Sequence, residues 1–210
     1  NDPEVQRYVN LVGNAVAYTS DRPKLEYRFA VVESKELNAF AAPGGYIFIT
    51  TGLLRAVKNE AELAGVLGHE IAHVSKKHAL GVIQRSKVLT NLADAAATAM
   101  KQDPKTFAAA VDLVNEILFD KGLDRNLEYE ADQIGTDFAH RVGYQASGLR
   151  DFCLTLKNVP GTSTPSLLKT HPNPADRVAK LDGYLSKRLR PDPSALTLQA
   201  RYQQGTRNLR

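Results

Sequence analysis

Between Asp2 and Thr19, apolar residues recur at Val5, Tyr8, Val9, Val12, Ala15 and Val16, the three-and-four spacing of an amphipathic helix. The period then shortens to two. Leu25, Tyr27, Phe29 and Val31 alternate with other residues across Lys24 to Val32, as in a strand. Leu37 to Ala41 and Tyr46 to Thr50 are two further short strand candidates. Ala42-Pro43-Gly44-Gly45 lies between them, and proline followed by two glycines predicts a hairpin turn.

After Gly52 the pattern is helical. Asn59 with Glu62 three residues on reads as a capping box opening a long helix through about Ala79, with Gly81 as its break. Further helices are expected over Val82 to Met100, Pro104 to Leu118, Arg125 to Val142, Ala146 to Lys157 and Pro174 to Leu189. Asn158 to Asn173, with three prolines and several Ser and Thr, reads as a loop. There is no internal repeat and no linker. The expectation is an α+β fold, mostly α-helical, with a small antiparallel sheet near the N-terminus. One domain would cover 1–190, followed by a basic C-terminal tail over 191–210.

Composition adds limits. A chain of 210 residues suffices for one packed domain, and 43% hydrophobic with 24% charged residues is ordinary globular composition. The net charge is +4, with basic residues densest from Lys187 through Arg188, Arg190, Arg201 and Arg207 to Arg210. No nucleic-acid motif accompanies them, so a solvated tail is the expectation and nucleic acid is not an expected partner. Cys153 is the only cysteine, which rules out an intrachain disulfide. It falls in the apolar pattern Leu149, Phe152, Cys153, Leu156 and reads as a buried thiol. No apolar run is long enough to span a membrane. The chain opens at Asn1 rather than Met, which leaves open a leader removed by processing or by truncation, and with it any membrane association.

The chemistry gathers at His69-Glu70-Ile71-Ala72-His73. Histidines four apart on a helix project about 40° from each other and can reach one ion, with Glu70 between them but aimed past it. Two neutral imidazoles leave zinc acidic enough to lower the pKa of its water to about 7, and a nearby carboxylate can take that proton. With 5 histidines in the chain, HExxH arises by chance in roughly one such sequence in two hundred, so context must decide. Ala64, Val66, Leu67, Ile71 and Val74 supply it: two histidines on so apolar a helix need a partner.

A third ligand is required, with the fourth position open. Residues 76 and 79 are Lys and Ala, which excludes the metzincin pattern, and His78 would lie about 180° round the helix from His69. That makes His78 a poor ligand and a packing or hydrogen-bonding residue. Glu128 and Glu130 point about 200° apart on the next candidate helix, so one of them faces the metal. Asp132 follows Glu128 by one turn, where it can orient a ligating histidine, whereas residue 134 is Ile. Glu128 is therefore the expected third ligand, Asp132 its neighbour and Glu70 the general base, with one zinc per chain.

HExxH followed by Glu128 and Asp132 as ExxxD is similar to the gluzincin arrangement. Asn38-Ala39-Phe40-Ala41-Ala42-Pro43-Gly44-Gly45, Thr51-Gly52-Leu53-Leu54, and Thr170-His171-Pro172 with Arg177 narrow it further. Together these resemble metallopeptidase family 48, which includes the heat-shock protease HtpX and the CAAX prenyl proteases, from about residue 5 to 190. The resemblance implies a zincin-like domain, a zinc endopeptidase acting on polypeptides, and a glutamate of ExxxD on the metal. HtpX and the prenyl proteases are built around membrane spans, which this chain lacks. The resemblance therefore implies the soluble cell-envelope branch, periplasmic in a bacterial setting, and substrates that are unfolded or misassembled envelope proteins.

The resemblance also brings His171 and Arg177 near the zinc; sequence alone reads a proline-flanked loop histidine as a surface residue. His171 either donates to a developing oxyanion with Arg177 adding charge, or occupies the fourth zinc position as a removable plug. A loop suits the plug better. Substrate would add as a strand along Leu37 to Ala42, at Asn38, Ala39, Phe40 and Ala41, where an ordinary hairpin strand is the competing reading. The competing function is a catalytically silent, chaperone-like module with a structural zinc, and an intact Glu70 weighs against it.

Overall fold

The computed structural model describes residues 2–85, 122–157, 170–188, 192 and 194–209. The helices expected beyond residue 85 and up to 118, and most of the loop over 158–173, lie outside them.

Helix α1 (Pro3–Tyr18) is capped by Asp2, whose carboxylate accepts from the Glu4 and Val5 amides, and it buries Val5, Val9, Val12 and Val16. Strands β1 (Arg28–Val32), β2 (Ala39–Ala42) and β3 (Tyr46–Thr50) follow, and then α2 (Thr51–Ala56). The expected hairpin is β2–β3, turning at Gly44 and Gly45 with φ of 93° and 96°. The sheet differs from the expectation in one respect. Its order is β1-β3-β2 and β1 pairs with β3 in parallel, so it is mixed rather than antiparallel. The cause is the route of residues 33–38. They carry the chain past the middle lane before β2 descends, and β3 rises between the two. β2 is therefore an edge strand of this sheet.

Helix α3 (Glu60–Ser75) carries HExxH, and all 16 of its residues are buried. Asn59 caps it by accepting from Glu62 N at 3.0 Å, and the Glu62 carboxylate reaches back to Lys58 N at 2.9 Å. The predicted pair forms, with the return bond one residue earlier than the usual box. α1, the sheet, α5 (Arg125–Arg141) and α6 (Gly148–Lys157) pack around α3. The helix ends at Ser75, earlier than expected. Lys77 adopts φ 58°, and α4 (His78–Arg85) starts in a new direction, so the break falls at Lys76-Lys77 and not at Gly81.

Helix α7 (Pro174–Arg188) packs on α6 and α5. The chain then returns to the domain through α8 (Gln199–Gly205) and a short 3-10 turn (Arg207–Leu209). Thr197 O accepts from the Glu60 and Ala61 amides, and Tyr202 is buried, its hydroxyl donating to Leu54 O. Arg201 and Arg207 bind Glu60 and Glu4. The segment expected as a solvated tail is docked over these residues because Leu198, Tyr202 and Leu209 give it an apolar face.

Candidate metal centre and cleft

α3 and α5 cross where neither backbone bears a side chain. A Cβ on Gly68 would meet Gly135 O at 2.5 Å, and one on Gly135 would meet His69 N at 2.4 Å. Only glycine permits this approach, and it lays the turn of α5 that carries Glu128 and Asp132 against the turn of α3 that carries His69 and His73.

The result is a cluster of electron-pair donors. His69 Nε2 and His73 Nε2 stand 3.0 Å apart, and each is 3.4 Å from an oxygen of Glu128. His171 Nδ1 touches the Glu128 Oε2 oxygen. One ligand atom from each of His69, His73, Glu128 and His171 lies within 4.8 Å of all the others. Four such atoms repel unless a proton or a cation sits among them. Tetrahedral zinc with bonds of about 2.0–2.1 Å separates its donors by about 3.3–3.4 Å, and three of the contacts fall at or just inside that spacing. The residues therefore fit a metal ion.

Each histidine of the HExxH pair is held from behind. His69 Nδ1 donates to Asp132 Oδ1 at 2.8 Å, and Arg177 grips Asp132 at 2.6 and 3.0 Å. The 3.4 Å between Arg177 Nη2 and His69 Nδ1 is the gap between two donors that share one oxygen. Arg177 thus stands at the Nδ1 edge of His69, away from the Nε2 edge that faces the cluster. His73 Nδ1 lies 2.9 Å from His78 Nδ1. The one-turn spacing of Glu128 and Asp132 is visible in the sequence, whereas the contact of Asp132 with Arg177, 45 residues on, leaves no local spacing to read. His78 could have been found only by placing the helix break at Lys77.

Charges follow the contacts. Burial would raise Asp132, but Arg177 and His69 hold it down at about 2. Burial and Arg177 would lower His69, but hydrogen bonds to Asp132 and Glu128 raise it to about 9. His73, desolvated and crowded by imidazoles, is pushed well below the ordinary range. His69 Nε2 and His73 Nε2, 3.0 Å apart, are spaced to share one proton in the metal-free protein. Burial raises Glu70.

Glu70 lines a cleft of about 330 Å³. Its walls are β2 and the turn after it, α3, the start of α4, and the segments at Gly122-Leu123 and Thr170-His171. Phe40 and Ala41 face this cleft, Ala39 is buried in the core, and Asn38 stands one residue before the strand with its backbone tied to Thr50. Pro43, Val74 and Leu80 make much of the lining apolar.

The model of peptidase family M48 matches residues 3–185. The chain belongs to peptidase family M48. It is 30% identical over 187 residues to the beta-barrel assembly-enhancing protease of Escherichia coli (strain K12), covering 85% of this chain and 38% of that protein. It is 34% identical over 181 residues to the mitochondrial metalloendopeptidase OMA1 of Danio rerio, covering 81% of this chain and 36% of the relative. Metalloprotease YcaL of Escherichia coli (strain K12) matches over 149 residues at 27%, with 71% of this chain and 58% of YcaL covered. The chain spans roughly two fifths of the length of the first two. The expected family is thus the family found, and a cluster of His and Glu that could hold a metal ion is present where the HExxH and ExxxD helices meet. No helix among the described residues is long and apolar enough to cross a membrane.

Proposed function

We propose that this chain is the catalytic domain of a zinc endopeptidase that cuts unfolded or misassembled polypeptides of the cell envelope. The observation carrying this is the convergence of His69, His73 and Glu128 beside a cleft that holds a buried carboxylate, Glu70. Three neutral or carboxylate donors with a fourth position filled by a removable group are the donor set of a catalytic rather than a structural zinc. When bound there, zinc supplies Lewis acidity, which acidifies water and polarises a carbonyl. Glu70 takes the proton of the attacking water and delivers it to the departing amine nitrogen. Its burial favours this work, since a desolvated carboxylate is a stronger base than one in water.

The substrate backbone lies along β2 at Phe40 and Ala41, a reading supported by the edge position of that strand and by its place in the cleft wall. Main-chain recognition of this kind gives little sequence selectivity, as a quality-control enzyme requires. The envelope setting, periplasmic in bacteria, draws on the relatives named beta-barrel assembly-enhancing protease. His171 acts as a plug on the fourth position, a reading supported by a ring nitrogen lying among the other three donors and by the contact of its Nδ1 with Glu128.

The test is cleavage of a reduced, unfolded protein by the purified chain, with and without a chelator, beside Glu70→Gln. Metal-dependent cleavage that vanishes in Glu70→Gln supports the proposal. Peptide binding with no cleavage in the zinc-loaded parent protein would instead favour the chaperone-like alternative.

A further inference from the structure

An unbroken α3 would have sent His78 to the opposite side of the helix from His69. The left-handed turn at Lys77 reverses this. It places His78 at the first position of α4, 5% exposed, with its ring edge-on to His73. His73 Nδ1 and His78 Nδ1 are 2.9 Å apart, and His78 Nε2 lies 3.6 Å from Glu130 Oε2. That last separation is longer than a hydrogen bond but close enough for the carboxylate to attract an N–H.

Two Nδ1 atoms at this distance allow one donor and one acceptor. The Nε2 of His73 faces His69 and Glu128 and must offer its lone pair to a metal, so the His73 proton belongs on Nδ1. His78 then accepts at Nδ1 and carries its own proton on Nε2, the edge that faces Glu130. We propose that His78 and Glu130 are positioning residues for His73, fixing its tautomer and ring direction as Asp132 and Arg177 do for His69. α5 thereby serves both histidines: Glu128 lies between them, Asp132 stands behind His69, and Glu130 stands behind the partner of His73. The two supports differ in kind. Asp132 is buried and neutralised by Arg177, whereas the Glu130 side chain is 48% exposed, so the support of His73 is the softer one.

This inference rests on His73 being a metal ligand, and the experiment separates the two. Zinc dissociation constants are measured by chelator competition for the parent and for His73→Ala, His78→Leu, His78→Asn and Glu130→Gln, with cobalt absorption spectra as a second readout of ligand geometry. Asn places an acceptor oxygen where His78 Nδ1 stands; Leu offers none. His78→Leu is expected to weaken zinc about 10- to 100-fold and alter the cobalt spectrum, while His78→Asn stays within about threefold of the parent. Glu130→Gln is expected to weaken zinc severalfold. Equal losses in Leu and Asn would mean that His78 acts by packing, and parent-like affinity in His78→Leu would mean that it does not act on the metal; either overturns the proposal. If His78→Leu does not fold, Asn below a tenth of parent affinity, or Glu130→Gln at parent affinity, overturns it as well. Parent-like affinity in His73→Ala would overturn the metal-site reading itself.

Discussion

Arg177 and Asp132 meet through two hydrogen bonds, 2.6 and 3.0 Å long, at the junction of α7 and α5, and neither residue is more than 3% exposed. A buried pair of this kind contributes little over apolar replacements, but removing one partner strands the other. Arg177→Met should therefore cost about 3–5 kcal/mol. In a chain of this size that lowers Tm by on the order of 10 °C in metal-free protein, readable by calorimetry. Zinc affinity should fall too, because Asp132 would no longer be held against His69. Arg177→Lys should recover the charge but not the two-point grip, and so recover stability only in part. An unchanged Tm in Arg177→Met would show that the pair does not anchor α7.

The same contacts set a dependence on pH. Asp132 titrates near 2 in the fold and near 3.8 when unfolded, so its folded form is depressed. Its contribution is present above pH 3.8 and is lost as pH falls towards 2. His69 is raised from 6.5 to about 9, so its contribution is full below pH 6.5 and is lost as pH rises through 9. Metal-free protein should accordingly lose stability on both sides of this range. Zinc must displace the proton that His69 shares with His73. Loading near pH 7.5 should release about one proton, and affinity should climb about tenfold per pH unit up to pH 9. Calorimetric titration in two buffers of different ionisation enthalpy measures the proton count, and a count of zero would contradict the shared proton.

Glu70→Gln should leave zinc content at the parent level and reduce hydrolysis of an unfolded protein by at least about 10²- to 10⁴-fold, because the amide is nearly isosteric but cannot accept a proton. Glu128→Ala should show the reverse order, losing most of the metal first and activity in consequence. Metal analysis beside a peptidase assay distinguishes the two. A Glu70→Gln protein cutting at the parent rate would remove Glu70 from the mechanism.

Glu60, fully buried at the first turn of α3, accepts from Tyr8 and Tyr144 at 2.6 Å each and from Arg201 of α8. The C-terminal segment is thus tied to the helix that bears HExxH, although it lies beyond residue 185, where the family match ends. Arg201→Met should cost about 1–3 kcal/mol, since the two tyrosines still satisfy the carboxylate. Glu60 is lowered despite burial, through Arg201, Tyr144 and Tyr8, so this contribution holds above pH 4.5 and fades as pH falls. Thermal unfolding at pH 7 and pH 4 tests both statements, and a variant as stable as the parent at pH 7 would show the segment to be passively attached.

What was legible in the sequence was local. The spacing of His69 and His73, the turn from Glu128 to Asp132, and the cap at Asn59 each follow from 3.6 residues per turn, and the structure brings these residues together or forms the cap. Three features were not legible. The parallel pairing of β1 with β3 depends on which side of β2 the chain returns, and strand patterns do not encode it. Lys77 in the left-handed region gave no composition signal, because lysine rarely adopts it, and the misplaced helix end hid the contact of His78 with His73. Arg201 falls in a run of basic residues, and the apolar face that Tyr202 and Leu209 form around it is spaced too irregularly to stand out.

His171 offers the sharpest division between two mechanisms. One of its ring nitrogens lies within 4.8 Å of the ligand atoms of His69, His73 and Glu128, its Nδ1 has Glu128 Oε2 as direct partner, and its ring centroid is 5.1 Å from that of His69. A donor to an oxyanion would need to stand back from the metal by the width of a substrate carbonyl, whereas a plug belongs among the ligands. A plug competes with water for the fourth position and must leave before Glu70 can act. His171→Ala should then raise the rate of cleavage of an unfolded protein, by about 2- to 10-fold if the closed form dominates at rest. Zinc should bind more weakly at the same time, since one donor is gone. An oxyanion donor predicts the opposite, a fall of about 10²-fold in kcat with zinc affinity unchanged. Measuring rate and affinity on the same preparation decides between them. A His171→Ala protein that cleaves more slowly and binds zinc as tightly as the parent would exclude the plug.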